Sequence, residues 1–176
     1  HYYHLMNGGG DPTVNSYAAK AAYQEMNVAN SGIVGLQLRL SWRQLEPTRD
    51  NYNPGFAIID GHLNKLKLTN KRFFLFIAYK ADRLDVLPDY IKSSGGAYRF
   101  SFGGSTKVGE GAKFWDNSVR DRFTQLVRRL GQRYNENFTF MGVALPETAL
   151  SKIQGGYSGA QENAYYSNLL VINEKL

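Results

Sequence analysis

"GIVGLQLRLSW", residues 32–42, alternates along its length: Leu36, Leu38 and Leu40 fall on one side, Gln37, Arg39 and Ser41 on the other. Side chains of a β-strand leave the backbone on opposite faces at successive residues, so this pattern reads as a strand. Its polar face bears on the fold. A central strand of an open doubly wound sheet has helices on both faces and is apolar on both. A barrel strand has helices on one face only, and near the carboxyl end its inner face tolerates polar groups, which suits Gln37, Arg39 and Ser41.

Before this strand, "NSYAAKAAYQEMN" reads as a helix that Asn15 or Ser16 can cap, with Ala19, Ala22, Tyr23 and Met26 on one side. After it come a turn-rich "EPTRDNYNPG" and a helix "FAIIDGHLNKLKLTN", in which Phe56, Ile59, Leu63 and Leu66 share a face. "KRFFLFIAYK" is nearly continuous apolar and aromatic, the composition of a covered strand. Residues 81 to about 114 break the rhythm. Within them "SSGGAYRFSFGGSTKVGEGAKF" reads as a hairpin, Tyr98–Phe102 against the residues around Thr106, with Gly103 and Gly104 at the turn. A connection this long inside a compact domain is commonly a lid or a binding loop. A helix follows, capped by Asp116 or Asn117, then a strand over 138–145, a glycine-rich loop and a helix running to Leu176.

Helices alternating with strands predict parallel strands joined by crossover helices. A full barrel takes about 250 residues and eight strands. This chain has 176 residues and three clear strands, and a fourth fits only at or before "HYYHLM". The expected fold class is therefore α/β: half a TIM barrel with a long loop after its third strand. Residues 1–176 read as one domain, and the absence of an initiating methionine suggests either a removed leader or a piece of a longer chain.

Net charge is +6, from 21 Lys and Arg against 15 Asp and Glu. The densest basic stretch, residues 116–137, interleaves Arg120, Arg122, Arg128, Arg129 and Arg133 with the apolar stripe of Val119, Phe123, Leu126, Val127, Leu130 and Tyr134. That is the solvated face of an amphipathic helix, so no nucleic-acid partner is expected. No apolar run approaches the roughly 20 residues of a membrane-spanning helix, and no membrane partner is expected. With no cysteine there is no thiolate metal site, and the compartment stays open, with a secreted or periplasmic one slightly favoured. His1, His4 and His62 are the only histidines. An N-terminal copper site of the kind built on β-sandwiches conflicts with alternating helices and strands. "NGGGD" lacks the spacing of a dinucleotide fingerprint, and no cofactor or metal is expected.

Active sites of parallel barrels sit at the carboxyl ends of strands. Here those ends fall at His1 to Asn7, Ser41 to Glu46, Tyr79 to Asp85 and Pro146 to Ser151. In "FMGVALPETALS", residues 140–151, an apolar strand stops at a proline and puts out Glu147. An acid held on a rigid strand among apolar neighbours has its pKa raised by desolvation, which suits a general acid. A turn acid or a cap for the next segment is the competing reading.

"GLQLRLSWRQLEPTRDNYNPGFAIIDGHLNKLKLTNKRFFLFIA" resembles the second and third units of the clan of retaining glycoside hydrolases whose acid/base glutamate ends strand four and whose nucleophile glutamate ends strand seven. Trp42, Leu45-Glu46-Pro47, Tyr52, Ile59-Asp60 and Lys71 carry the likeness. "KFWDNSVRDRFTQLVRRLGQRY" with "MGVALPETAL" is similar to the clan's third helix and fourth strand, so the resemblance runs over roughly residues 15 to 170. It implies a carbohydrate substrate and Glu147 as acid/base. Pro146 departs from the pattern, since the clan usually has there an Asn that contacts the sugar 2-hydroxyl. The resemblance also implies that Arg39 sits beside the nucleophile, or else forms a structural ion pair. Trp42 would be a sugar-stacking platform, or else a core aromatic. Tyr79 and Asp82 would line the cleft, as would Lys80 and Asp85, while Glu46 reads as a turn residue. The nucleophile strand is missing from these residues. The chain is thus expected to join a C-terminal half or to self-associate, the alternative being a half barrel that binds carbohydrate or assembles without catalysis.

Overall fold

The computed structural model describes residues 2–7, 11–27, 32–82, 85–101, 108–145, 150 and 152–173. Along the chain the elements are β1 (Tyr2–Asn7), α1 (Tyr17–Met26), β2 (Ile33–Ser41), α2 (Trp42–Leu45), α3 (Asn53–Lys67), β3 (Arg72–Ala78), β4 (Lys80–Ala81), α4 (Asp89–Ser93), β5 (Ala97–Ser101), β6 (Val108–Ala112), α5 (Asn117–Tyr134), β7 (Phe140–Ala144), β8 (Lys152–Ile153) and α6 (Gly159–Asn173).

Strands β1, β2, β3 and β7 form one sheet in that order, and each neighbouring pair is parallel. With crossover helices between them, this is the expected partial TIM barrel. The strand expected only by inference at "HYYHLM" is present as β1, in register with β2 from Tyr3↔Gly35 to Asn7↔Arg39. Register fixes the two faces. Met6, Leu38 and Leu75 stand side by side and are buried, and this face packs into a core with Ala19 and Met26 of α1, Ile59 and Leu66 of α3, and Phe123 and Leu126 of α5. The residues just before these, Leu5, Gln37 and Phe74, align with one another and with Gly142 of β7 on the other face, where Leu5 is 63% exposed.

Capping sets the helix starts. Ser16, rather than Asn15, accepts the Ala19 amide at 3.2 Å and begins α1. Asp116, rather than Asn117, accepts the Ser118 amide at 2.8 Å and begins α5. Between α2 and α3 the backbones approach closely at Gly55, where an added Cβ would lie 2.6 Å from the Leu45 Cα. Glycine to alanine inside a helix ordinarily stabilises by up to about 1 kcal/mol. Here the collision reverses the sign, and Gly55→Ala is expected to cost about 1–3 kcal/mol, the range for overpacking, read as a lower urea midpoint. A midpoint raised by the substitution would contradict the close approach.

The long connection after β3 supplies β4, β5 and β6 of a second sheet, which β8 joins from beyond β7; its order is β4-β6-β5-β8, antiparallel throughout. Its centre is a hairpin, as expected, but the strand paired with β5 is Val108–Ala112, from Ala97↔Ala112 to Ser101↔Val108, while Thr106, around which the partner was expected, lies outside the described residues. The expected Gly103–Gly104 turn lies outside the described residues. Glycines in β6 make room for aromatic rings from β5: a Cβ on Gly109 or Gly111 would sit 2.5 Å from the Phe100 ring or 2.6 Å from the Tyr98 ring. Among the described residues no helix is long and apolar enough to cross a membrane.

Candidate functional site

Because the strands are parallel, their carboxyl ends share one rim: Asn7, Ser41, Ala78 and Ala144. One row of the uncovered face runs along it, Asn7, Arg39, Phe76 and Ala144 in register. Arg39 is half-buried in that row, its guanidinium carbon 5.2 Å from the centre of the Phe76 ring. Asp82, just past β4, is exposed. Glu147 and Pro146 lie outside the described residues. The described chain reaches Leu145, two residues short of that glutamate.

Trp42 and Tyr79 are 0% exposed, so neither offers an open ring face to a sugar. For Trp42 the cause is local. Ser41 ends β2 and caps α2 in a capping box with Gln44, so the chain turns before Trp42 can follow the strand's alternation. The indole swings into the core, edge-on to Phe123 at 5.0 Å between ring centres. Tyr79 follows β3, and its ring packs 4.6 Å from Phe114 and 5.5 Å from Phe123. The structure therefore brings Trp42 and Tyr79 together around Phe123, away from the Arg39 row.

Glu46, the acid of the Leu-Glu-Pro triplet, is 0% exposed. Its carboxylate accepts the Trp42 indole N–H at 2.9 Å, the Asp50 amide at 2.9 Å and the Arg122 guanidinium. Arg122 also donates to the Asp50 carboxylate at 3.0 Å and thereby holds that carboxyl below its usual range. With its side chain 13% exposed, Arg122 is not on the solvated face expected of it. Its helical spacing was legible, but Glu46, 76 positions earlier, was not a readable partner. Glu110 was also missed. It is 4% exposed on β6 and accepts the Val86 and Leu87 amides at 2.9 and 3.0 Å, fastening the inserted segment to its own sheet. Its setting, "VGEGA", carries no signal for this.

His62 on α3 is buried between Tyr23 and the Pro12 carbonyl. Its Nε2 lies 2.7 Å from that carbonyl and so donates; its Nδ1, 2.6 Å from the Tyr23 hydroxyl, accepts. Desolvation lowers its pKa from 6.5, and the hydrogen bond to the Pro12 carbonyl and, less strongly, the Asp11 charge oppose the shift without reversing it. A base with a depressed folded-state pKa binds fewer protons folded than unfolded, so stability falls as pH drops below about 6.5. The urea midpoint is expected to be level above pH 7 and to decline between pH 6.5 and 5, above the range where the Asp50, Asp89 and Asp116 carboxyls, also lowered from 3.8, begin to protonate. A midpoint unchanged over that window would contradict a buried neutral imidazole. Among the described residues no group of three His, Asp or Glu side chains could hold a metal ion. A groove of about 840 Å³ lies between α1 and α3, lined by Val14, Lys20, Tyr23, Gly61, Lys65 and Leu68 among others; none of the expected site residues lines it.

No protein-family model and no curated protein matches the sequence. Solved structures do match the fold. The GH5_18 structure from Streptomyces cattleya in complex with GlcNAc aligns at a TM-score of 0.55 and 11% identity, over 89% of this chain and 35% of that one. The GH5_18 structure from Bifidobacterium longum aligns at 0.54 and 15% identity, over 87% and 34%. The GH1 beta-glucosidase from Exiguobacterium antarcticum B7 aligns at 0.53 and 11% identity, over 82% and 29%. The fold is thus a partial TIM barrel like that of glycoside hydrolases, and the chain spans about a third of the length of these structures.

Proposed function

We propose that this chain is the portion of a glycoside hydrolase barrel that carries the general acid/base, Glu147, and that the second carboxylate comes from strands outside these residues. The carrying observation is the rim: parallel strands end together, and the last of them leads to an acid three residues past Ala144. The aligned glycoside hydrolase structures support the barrel part of this reading, at the level of fold. Glu147, protonated, gives its proton to the glycosidic oxygen as the bond to the anomeric carbon breaks. In a retaining reaction the second carboxylate bonds to that carbon, and Glu147, now ionised, takes a proton from the water that releases the sugar. Arg39, in the row behind the rim, has the reach and charge to orient that second carboxylate. Asp82 is the remaining candidate for contact with substrate. The half barrel's closing partner would cover the face on which Leu5 is 63% exposed and run along the β7 edge, where Met141 is 53% exposed.

Hydrolysis of aryl glycosides by the full-length protein and by its Glu147→Gln variant tests this reading. Loss of an acid/base group lowers turnover about 10²–10⁴-fold. Turnover equal in the two proteins, or no turnover on any sugar offered, would remove the assignment.

A further inference from the structure

Gly61 lies inside α3, where glycine is among the least favourable residues. Unlike Gly55, it is not demanded by the packing. Its φ is not positive, and an added Cβ would meet nothing nearer than the Val14 side chain at 3.5 Å, an ordinary contact. What its bare backbone does is deepen the groove between α1 and α3, which it lines. α1 gives Lys20 and Tyr23 to one wall, α3 gives Lys65 and Leu68 to the other, and Val14 comes from the segment before α1. No Asp or Glu lines the groove; besides the two lysines, its polar lining side chains are uncharged amides and the Tyr23 hydroxyl, which His62 holds. The Lys65 ammonium stands 6.0 Å from the centre of the Tyr23 ring, so positive charge lies beside an aromatic surface. The volume of about 840 Å³ suits a small organic ligand. Cationic walls without a carboxylate favour an anion, and a second copy of this chain, with its net charge of +6, is a poor electrostatic match.

We infer that the groove between α1 and α3 binds a small amphipathic carboxylate, its apolar body lying along Val14, Gly61 and Tyr23 and its anionic head reached by Lys20 and Lys65. The lysine stems extend the apolar lining while their ammonium groups stay in water, where they meet the head. α1 and α3 cover the Leu38 face of the barrel sheet, opposite the Arg39 row, so this site is independent of the assignment of Glu147.

Titration calorimetry of the full-length protein with octanoate, and with 1-octanol as a neutral body of the same length, tests the inference. Octanoate is expected to bind saturably at one site and octanol more weakly. Lys20→Met and Lys65→Met should each weaken octanoate by about two- to fivefold, the range for an exposed ion pair, and leave octanol unchanged. Gly61→Leu fills the floor and should abolish binding of both. Gly61→Ala should raise the melting temperature by about 2–4 °C, because it removes a helix-interior glycine that the packing does not need. If Gly61→Leu does not fold, the two lysine variants decide. No saturable octanoate binding, octanol binding as tight as octanoate, or octanoate affinity unchanged in the lysine variants would overturn the inference. So would a Gly61→Ala variant less stable than the parent, which would show that the fold itself requires the glycine.

Discussion

Arg122→Met is expected to cost this chain about 3–5 kcal/mol, the range for removing one partner of a buried ion pair. At this chain length that corresponds to a fall in Tm of roughly 6–20 °C. The reason is what the substitution leaves behind. Glu46 stays fully buried, its carboxylate still taking the Trp42 indole and the Asp50 amide, but with no cation to offset its charge. Asp50 loses the guanidinium that holds its turn, in which its own φ is 62°. Desolvation rather than a lost contact sets the size, so adding Glu46→Gln to the variant should recover part of the loss. A neutral amide there is far cheaper to bury than a charge. An Arg122→Met midpoint equal to that of the parent would contradict the buried pair.

Phe123→Ala carries a comparable expected cost, about 3–5 kcal/mol, the usual price of emptying a buried aromatic site. Phe123 is 0% exposed and central to the aromatic core, with ring centres of Trp42, Tyr79 and Phe114 at 5.0, 5.5 and 5.2 Å. Those three rings come from α2, the end of β3 and the connection before α5, so they cannot close in together on the space. Phe123→Leu, which keeps most of the volume, should cost clearly less. Thermal unfolding of the two variants checks the order, and an alanine variant within about 0.5 kcal/mol of the parent, the range of ordinary surface changes, would place Phe123 outside the core.

The sheet was legible where side-chain alternation is long enough to count. Nine residues of β2 give Leu36, Leu38 and Leu40 to the helices and leave Gln37 and Arg39 on the opposite face. The same counting failed one residue later. Trp42 and Tyr79 sit where a strand gives way to a turn, and period two no longer says which side a residue takes. Tyr79 was read as a rim residue and Trp42 as either a rim platform or a core aromatic, and both are core. β4 and β8 have two residues each, too few to show any period. Arg122 and Glu46 show another limit: the helix is written in local spacing, whereas the pairing is a product of the tertiary fold. The rim itself follows from parallel strands and crossover helices, and so could be placed before any coordinates.

The most direct measurement is the distance from the Glu147 carboxyl to the nearest other carboxyl group in a crystal structure of the full-length protein. A second carboxylate about 5–5.5 Å away, on a strand outside residues 2–173 and over the Arg39 row, is the expected result for a retaining hydrolase. Glu147 turned away from that row, with no carboxylate within about 9.5 Å, would contradict it.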